Sequence, residues 1–197
     1  TTTEASIKAL SRDDLVKYYE TYYRPNNSTL IVVGDVTMSV LKAKLESAFA
    51  TWKPSEVPTS TLLEASNTFK PGIYLIDRPG SAQSVVNIRQ VGVSRDNADY
   101  VPLLVMNSIL GGQFTSRINL NLREEKGYTY GARSGFSFRK GAGPFSASGD
   151  VQTAVTKESV VEFMKELNGI RGSIPLTQTE LEYSKQSIIR RYPQGFE

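Results

Sequence analysis

The chain has 197 residues, 39% hydrophobic and 22% charged, and its 23 basic against 20 acidic side chains leave a formal charge of +3. That is enough chain for one domain with a real core, and too little charge to point to nucleic acid by itself. Cysteine and histidine are both absent, which excludes a disulfide framework, a thiol nucleophile, a histidine-based triad and an imidazole-bound zinc within this chain. No stretch approaches the ~18 consecutive apolar residues of a membrane span. The sequence opens on polar Thr1–Ser6 without an initiator Met and stops on Gly195-Phe196-Glu197, so it reads as a single domain, residues 1–197, cut from a larger protein.

In chain order, Ser11 and Asp14 form a capping-box start for a first helix, whose apolar face is Leu15, Tyr18, Tyr19 and Tyr22. Pro25 ends it and Asn26–Asn27 turn the chain. The apolar run Thr29–Val33, closed by Gly34–Asp35, predicts a buried strand. Thr37 caps a second helix carrying Val40, Leu41, Leu45, Ala48 and Phe49, and Trp52 anchors its end. Residues 1–52 thus read as helix-strand-helix, and 53–71, rich in Pro, Ser, Thr and Glu, as an irregular connection.

Residues 72–197 carry the rest. Strands are predicted at Gly72–Asp77 and Gln83–Val91, then a helix at Asp96–Leu110 with Val101, Leu104, Val105, Ile109 and Leu110 inward. Gly111–Gly112 breaks it, and a helix from Thr115 to Lys126 ends at Gly127, a residue suited to a left-handed C-terminal cap. Strict alternation follows, with Tyr128, Tyr130, Ala132, Ser134, Phe136 and Phe138 on one face and Thr129, Arg133, Ser137 and Arg139 on the other. A turn at Lys140–Gly143 leads into Phe145–Val151, making a hairpin. Helices at Thr156–Ile170 and after the Thr177/Glu180 capping box close the chain. The expected fold class is α+β, a mostly antiparallel sheet with helices on one face.

The densest chemistry lies between Gly111 and Gly131. The predicted elements put Arg123 in the last turn of a helix and Tyr130 early in the next strand, with Gly127 reversing the backbone between them. A guanidinium and a phenol are poor bases at neutral pH but good hydrogen-bond donors, which suits them to binding a carbonyl and the oxyanion that develops on it. The same residues also suit a purely structural role, the arginine complementing the helix dipole and the tyrosines filling a core.

The run Gly111-Gly112…Ser116-Arg117…Leu122-Arg123-Glu124-Glu125-Lys126-Gly127-Tyr128-Thr129-Tyr130 resembles the second-domain signature of pitrilysin-type zinc peptidases, the inverzincins, related to mitochondrial processing peptidase and insulin-degrading enzyme. Leu15…Tyr18-Tyr19…Tyr22-Tyr23-Arg24-Pro25-Asn26-Asn27 through Val36, and Leu176-Thr177…Glu180-Leu181…Lys185…Ile189, are similar to the opening and a late helix of that domain. The resemblance implies a metallopeptidase-half fold in which Arg123 and Tyr130 act on the substrate backbone. It also implies Gly111, Gly112 and Tyr128 as further substrate-binding positions. In such enzymes the first domain supplies His-x-x-Glu-His and a distant Glu for zinc. With no histidine, this chain resembles the non-zinc half only: no metal is expected here, and zinc belongs on a partner domain or subunit. The expected partners are that zinc-binding half and a peptide substrate, with no nucleic acid, and the chain alone is predicted to be inactive.

Weaker signals resolve simply. Glu124 and Glu125 are adjacent and point ~100° apart on a helix, so they are not a facing carboxylate pair. Lys126-Gly127-Tyr128 starts like an RNA-binding motif and fails at Thr129 and Gly131. Arg133, Arg139 and Lys140 read as a solvated strand face rather than a polyanion groove. Gly111–Gly112 lacks the rest of a phosphate loop, and Asp77, Asp96 and Asp99 lack metal-loop spacing. Two alternatives to the substrate-holding half stay open: a non-peptidase scaffold or peptide-binding protein of the same fold, and an unrelated α+β interaction module.

Overall fold

A computed structural model describes residues 2–59, 61, 65 and 70–195. They fall into two compact units, divided between Thr61 and Leu62.

The first unit is helical. Helix α1 (Glu4–Lys8) and helix α2 (Arg12–Tyr22) each begin with a full capping box, Thr3 with Ser6 and Ser11 with Asp14. These reciprocal bonds satisfy amide donors that a helix start leaves orphaned. Pro25–Asn27 form a 3₁₀ turn, and helix α3 spans Met38–Ala48. Trp52 packs against Phe49, ring centroids 5.7 Å apart, and its indole N–H donates to Tyr23 O at 3.2 Å. Asn26 bonds Ser55 in both directions (3.0 and 3.2 Å), tying the start of the connection to the turn. The strand expected at Thr29–Val33 does not form. No ladder pairs it among the described residues, and Val33 is 90% exposed. β-propensity makes a strand only where a neighbour accepts its backbone bonds and its side chains find cover.

The second unit holds a three-stranded antiparallel sheet in the order β1-β3-β2. Strand β1 is Gln83–Val91, β2 is Thr129–Phe136 and β3 is Pro144–Gln152. The hairpin therefore forms as expected, with Phe136 opposite Phe145, and β1 joins the far side of β3, Val86 opposite Gly149. Period-two patterning sends Val86, Ala132, Phe145, Ala147 and Val151 to one face. Helix α4 (Tyr100–Leu110), helix α5 (Arg117–Asn119), and helix α6 (Thr156–Gly169) cover it, contributing Leu110, Ile118 and Phe163 to the same core. Helix α7 (Gln178–Arg191) packs on α4 and starts with the expected Thr177/Glu180 capping box. The α+β class, with an antiparallel sheet and its helices on the core face, is the observed architecture.

Three details depart from expectation. Gly72–Asp77 pairs with no strand among the described residues, and its apolar side chains lie exposed for the reason given for 29–33. Helix α4 begins at Tyr100 rather than Asp96, which places Pro102 in the first turn, where no helical N–H is needed, and leaves Val101 exposed. After Asn119 the helix continues over Leu120–Glu125 with π winding, Lys126 N–H reaching Asn121 O at 3.0 Å.

Candidate functional site

The site begins where α4 ends. The N–H groups of Gly111 and Gly112 both donate to Asn107 O (2.9 and 2.7 Å), folding the chain back sharply. Gly111 O then accepts from Ser134 N–H at 2.8 Å. The Asn107 side chain adds two bonds, accepting from the Ser134 hydroxyl (2.8 Å) and donating to Ser134 O (3.1 Å). The outer edge of β2 is thus covered rather than left as an open template. A Cβ on Gly111 would collide with the Ser134 backbone and side chain, and one on Gly112 would press on Asn107. The Gly-Gly pair is a close-packing site.

Next, Arg117 anchors the helix. It makes a two-bond fork with Glu180 of α7 (2.6 and 2.7 Å) and donates to Ile174 O and Pro175 O (2.6 and 2.9 Å). The guanidinium, together with the Thr177 cap bonds, holds the Glu180 carboxyl down at about 2 despite partial burial. One turn on, Asn121 donates to Glu162 and Glu166 of α6 (2.9 and 2.7 Å), which keeps the Glu162 pKa below the ordinary range. Ile118 and Leu122 bury completely on the same side. The segment is clamped from behind by two helices, and Arg123 emerges in front.

Arg123 sits between two rings. Its guanidinium carbon lies 4.5 Å from the Phe114 ring centroid and 5.2 Å from that of Tyr130. It forms an ion pair with Glu124 at 3.4 Å. Gly127 takes φ +65°, the left-handed cap expected of it, and Tyr128 N–H bonds Leu122 O at 2.8 Å as the chain enters β2.

Here the alternation expected from the sequence breaks. Thr129 pairs with Val151 and Ala132 with Gly149, so Tyr130 and Gly131 together oppose Asp150. This β-bulge re-aims the side chains before it, as bulges beside functional sites do. Tyr130 therefore does not share the core face of Ala132 and Ser134; it stands 88% exposed. The Thr129 hydroxyl locks the bulge, donating to Asp150 O (2.6 Å) and accepting from Gly131 N–H (3.1 Å).

A cleft of about 910 Å³ opens over this face of the sheet. Gly111, Gly112, Phe114, Asn119, Arg123 and Tyr130 line it, with Val85, Asn87, Arg133, Ser148 and Asp150 from the strands. The structure therefore brings together four of the five residues singled out in the sequence. The fifth, Tyr128, stays outside the cleft, with its backbone carbonyl held by Gln152 N–H at 2.9 Å. Asn107, Phe114 and Asn119 went unnoticed in the sequence.

The donor set does not fit a zinc ion: the chain has no histidine or cysteine, and among the described residues no cluster of three acidic side chains could hold a metal. No helix among them is long and apolar enough to cross a membrane.

The fold is an α+β domain of the metallopeptidase-half class. The chain belongs to the peptidase M16 inactive domain family, whose model matches residues 9–188. The resemblance read from the sequence is thereby borne out. Over 189 residues the chain is 26% identical to an uncharacterized zinc protease, YmxG, of Bacillus subtilis (strain 168), covering 94% of this chain and 44% of that relative. A solved peptidase M16 inactive domain from Pseudomonas fluorescens superposes with a TM-score of 0.84 at 25% identity, over 94% of this chain and 44% of that one. A protease from Helicobacter pylori shares the fold, with a TM-score of 0.81 at 20% identity over 98% of this chain and 47% of that one. The chain spans less than half the length of each of these relatives.

Proposed function

We propose that this chain is the substrate-holding half of a zinc metalloendopeptidase, with zinc on another domain or subunit and no nucleic-acid role. The observation that carries the reading is the placement of the Arg123 guanidinium 5.2 Å from the exposed Tyr130 ring at the wall of a large cleft. A guanidinium offers five N–H donors and a phenol one O–H. Arg123 binds a peptide carbonyl oxygen, and the Tyr130 hydroxyl donates to the same oxygen as negative charge develops on it. Neither group moves a proton. Their contribution is preorganised charge stabilisation. Gly111 and Gly112 line the same cleft, and the open sheet face gives an extended chain room to lie.

The test joins this chain to its zinc-bearing half and measures peptide cleavage with and without chelator. Chelator-sensitive cleavage that needs both halves is expected, with no cleavage by this chain alone. If no zinc-bearing half exists on the parent protein or a co-purifying partner, and peptides bind uncleaved, the chain is a scaffold of the same fold.

A further inference from the structure

This inference rests on the reading of Arg123 and Tyr130 as carbonyl-binding donors. It concerns what holds them in place. Asn119, the last residue of α5, is only 5% exposed and sits at the floor of the cleft. Its Oδ1 accepts from Ala132 N–H at 3.0 Å, and its Nδ2 donates to Phe114 O at 2.7 Å. Ala132 is where regular pairing resumes after the bulge that carries Tyr130. Phe114 bears the ring that flanks the Arg123 guanidinium, and Asn119 itself leads into the π-wound segment that carries Arg123.

One planar amide therefore ties together the three segments that meet around the guanidinium. A buried amide is costly unless both its ends are satisfied, and an apolar residue beside Ile118 would fill the space more cheaply. An Asn side chain presents an uncharged donor and an acceptor side by side on one plane. We propose that Asn119 is a positioning residue, setting the bulge of Tyr130 and the loop of Phe114 at their working distances from Arg123. It touches no substrate and acts through those groups. Displacements of ~1 Å at such a site cost on the order of 10²-fold in rate.

The experiment is a double-mutant cycle on the two-half peptidase, measuring kcat and KM for wild type, Asn119→Asp, Tyr130→Phe and the double variant. Asp keeps the acceptor for Ala132 N–H and loses the donor to Phe114 O. Asn119→Ser, smaller and uncharged, is carried in parallel so that a folding failure of one variant leaves the cycle intact; near-ultraviolet circular dichroism confirms native packing. The expected result is a kcat loss of ~10–10² for the Asn119 variant with KM within ~3-fold, and strong non-additivity. Once Tyr130 is Phe, replacing Asn119 costs less than about half of that loss on a logarithmic scale. Losses that multiply, or an Asn119 variant with wild-type kcat, overturn the positioning role while leaving the Tyr130 assignment intact. A Tyr130→Phe variant with wild-type kcat overturns both.

Discussion

The Arg117–Glu180 fork joins the site-bearing helix to α7, and its strength is readable as a pH dependence. The Glu180 carboxyl is held at about 2 in the folded chain against an ordinary 4.5. A depressed folded pKa adds stability that is fully present above the unfolded pKa and is lost as pH falls from about 4.5 toward 2. Taken at face value, that shift corresponds to about 3 kcal/mol. Solvent reaches 30% of the Glu180 side chain, so screening reduces the contribution to about 1–2 kcal/mol. Glu180→Gln removes the charge and keeps an acceptor for the Thr177 cap, since Gln also serves at the third position of a capping box. Urea unfolding of both proteins should give the variant a stability lower by about 1–2 kcal/mol at neutral pH. The gap should narrow below pH ~4.5, shrink to a small remainder near pH ~2, where about half of the folded carboxyls are still ionised, and close below that. A gap that stays constant from neutral pH down to ~2 would refute the assignment of this stability to the Arg117–Glu180 charge pair.

Other outcomes follow from single contacts. Phe163, fully buried at the centre of the core, should cost about 3–5 kcal/mol when changed to Ala, read from denaturant midpoints. Gly111→Ala forces a methyl into Ser134 and should destabilise by about 1–3 kcal/mol in the same assay. Gly127→Ala places a Cβ on a residue at φ +65° and should cost about 1–2 kcal/mol. Tyr130→Phe, by contrast, alters an exposed hydroxyl and should leave stability within about 0.5 kcal/mol. That makes it a clean probe of function.

What the sequence disclosed was local. Capping boxes at Ser11/Asp14 and Thr177/Glu180 work within four residues, so their pattern transfers directly to structure. The hairpin was legible because its period-two burial and its Gly-rich turn agree. Gly127 was legible because few residues tolerate its backbone angle. The misreadings concern partners and register. Thr29–Val33 and Gly72–Asp77 carry the composition of strands, but composition does not supply the neighbour that a strand requires. Tyr130 was placed on the same strand face as Ala132 and Ser134 because a bulge adds one residue without any mark in the residue types. It was still singled out, by its place after the Gly127 reversal that follows Arg123 and by the family resemblance, rather than through its periodicity. Phe114 and Asn119 escaped notice because their roles depend on contacts between segments, such as the bond from Ala132 N–H to Asn119 Oδ1.

The central claim is that Arg123 and Tyr130 grip the transition state harder than the substrate, and a tetrahedral inhibitor tests it most directly. In the joined two-half peptidase, a phosphinic peptide mimics the charged intermediate, and the matching peptide substrate reports ground-state binding. Tyr130→Phe should weaken inhibition and lower kcat by the same ~10²–10³-fold, while KM and zinc content stay near wild type. Equal weakening of inhibitor and substrate, or wild-type inhibition by the variant, would contradict the account.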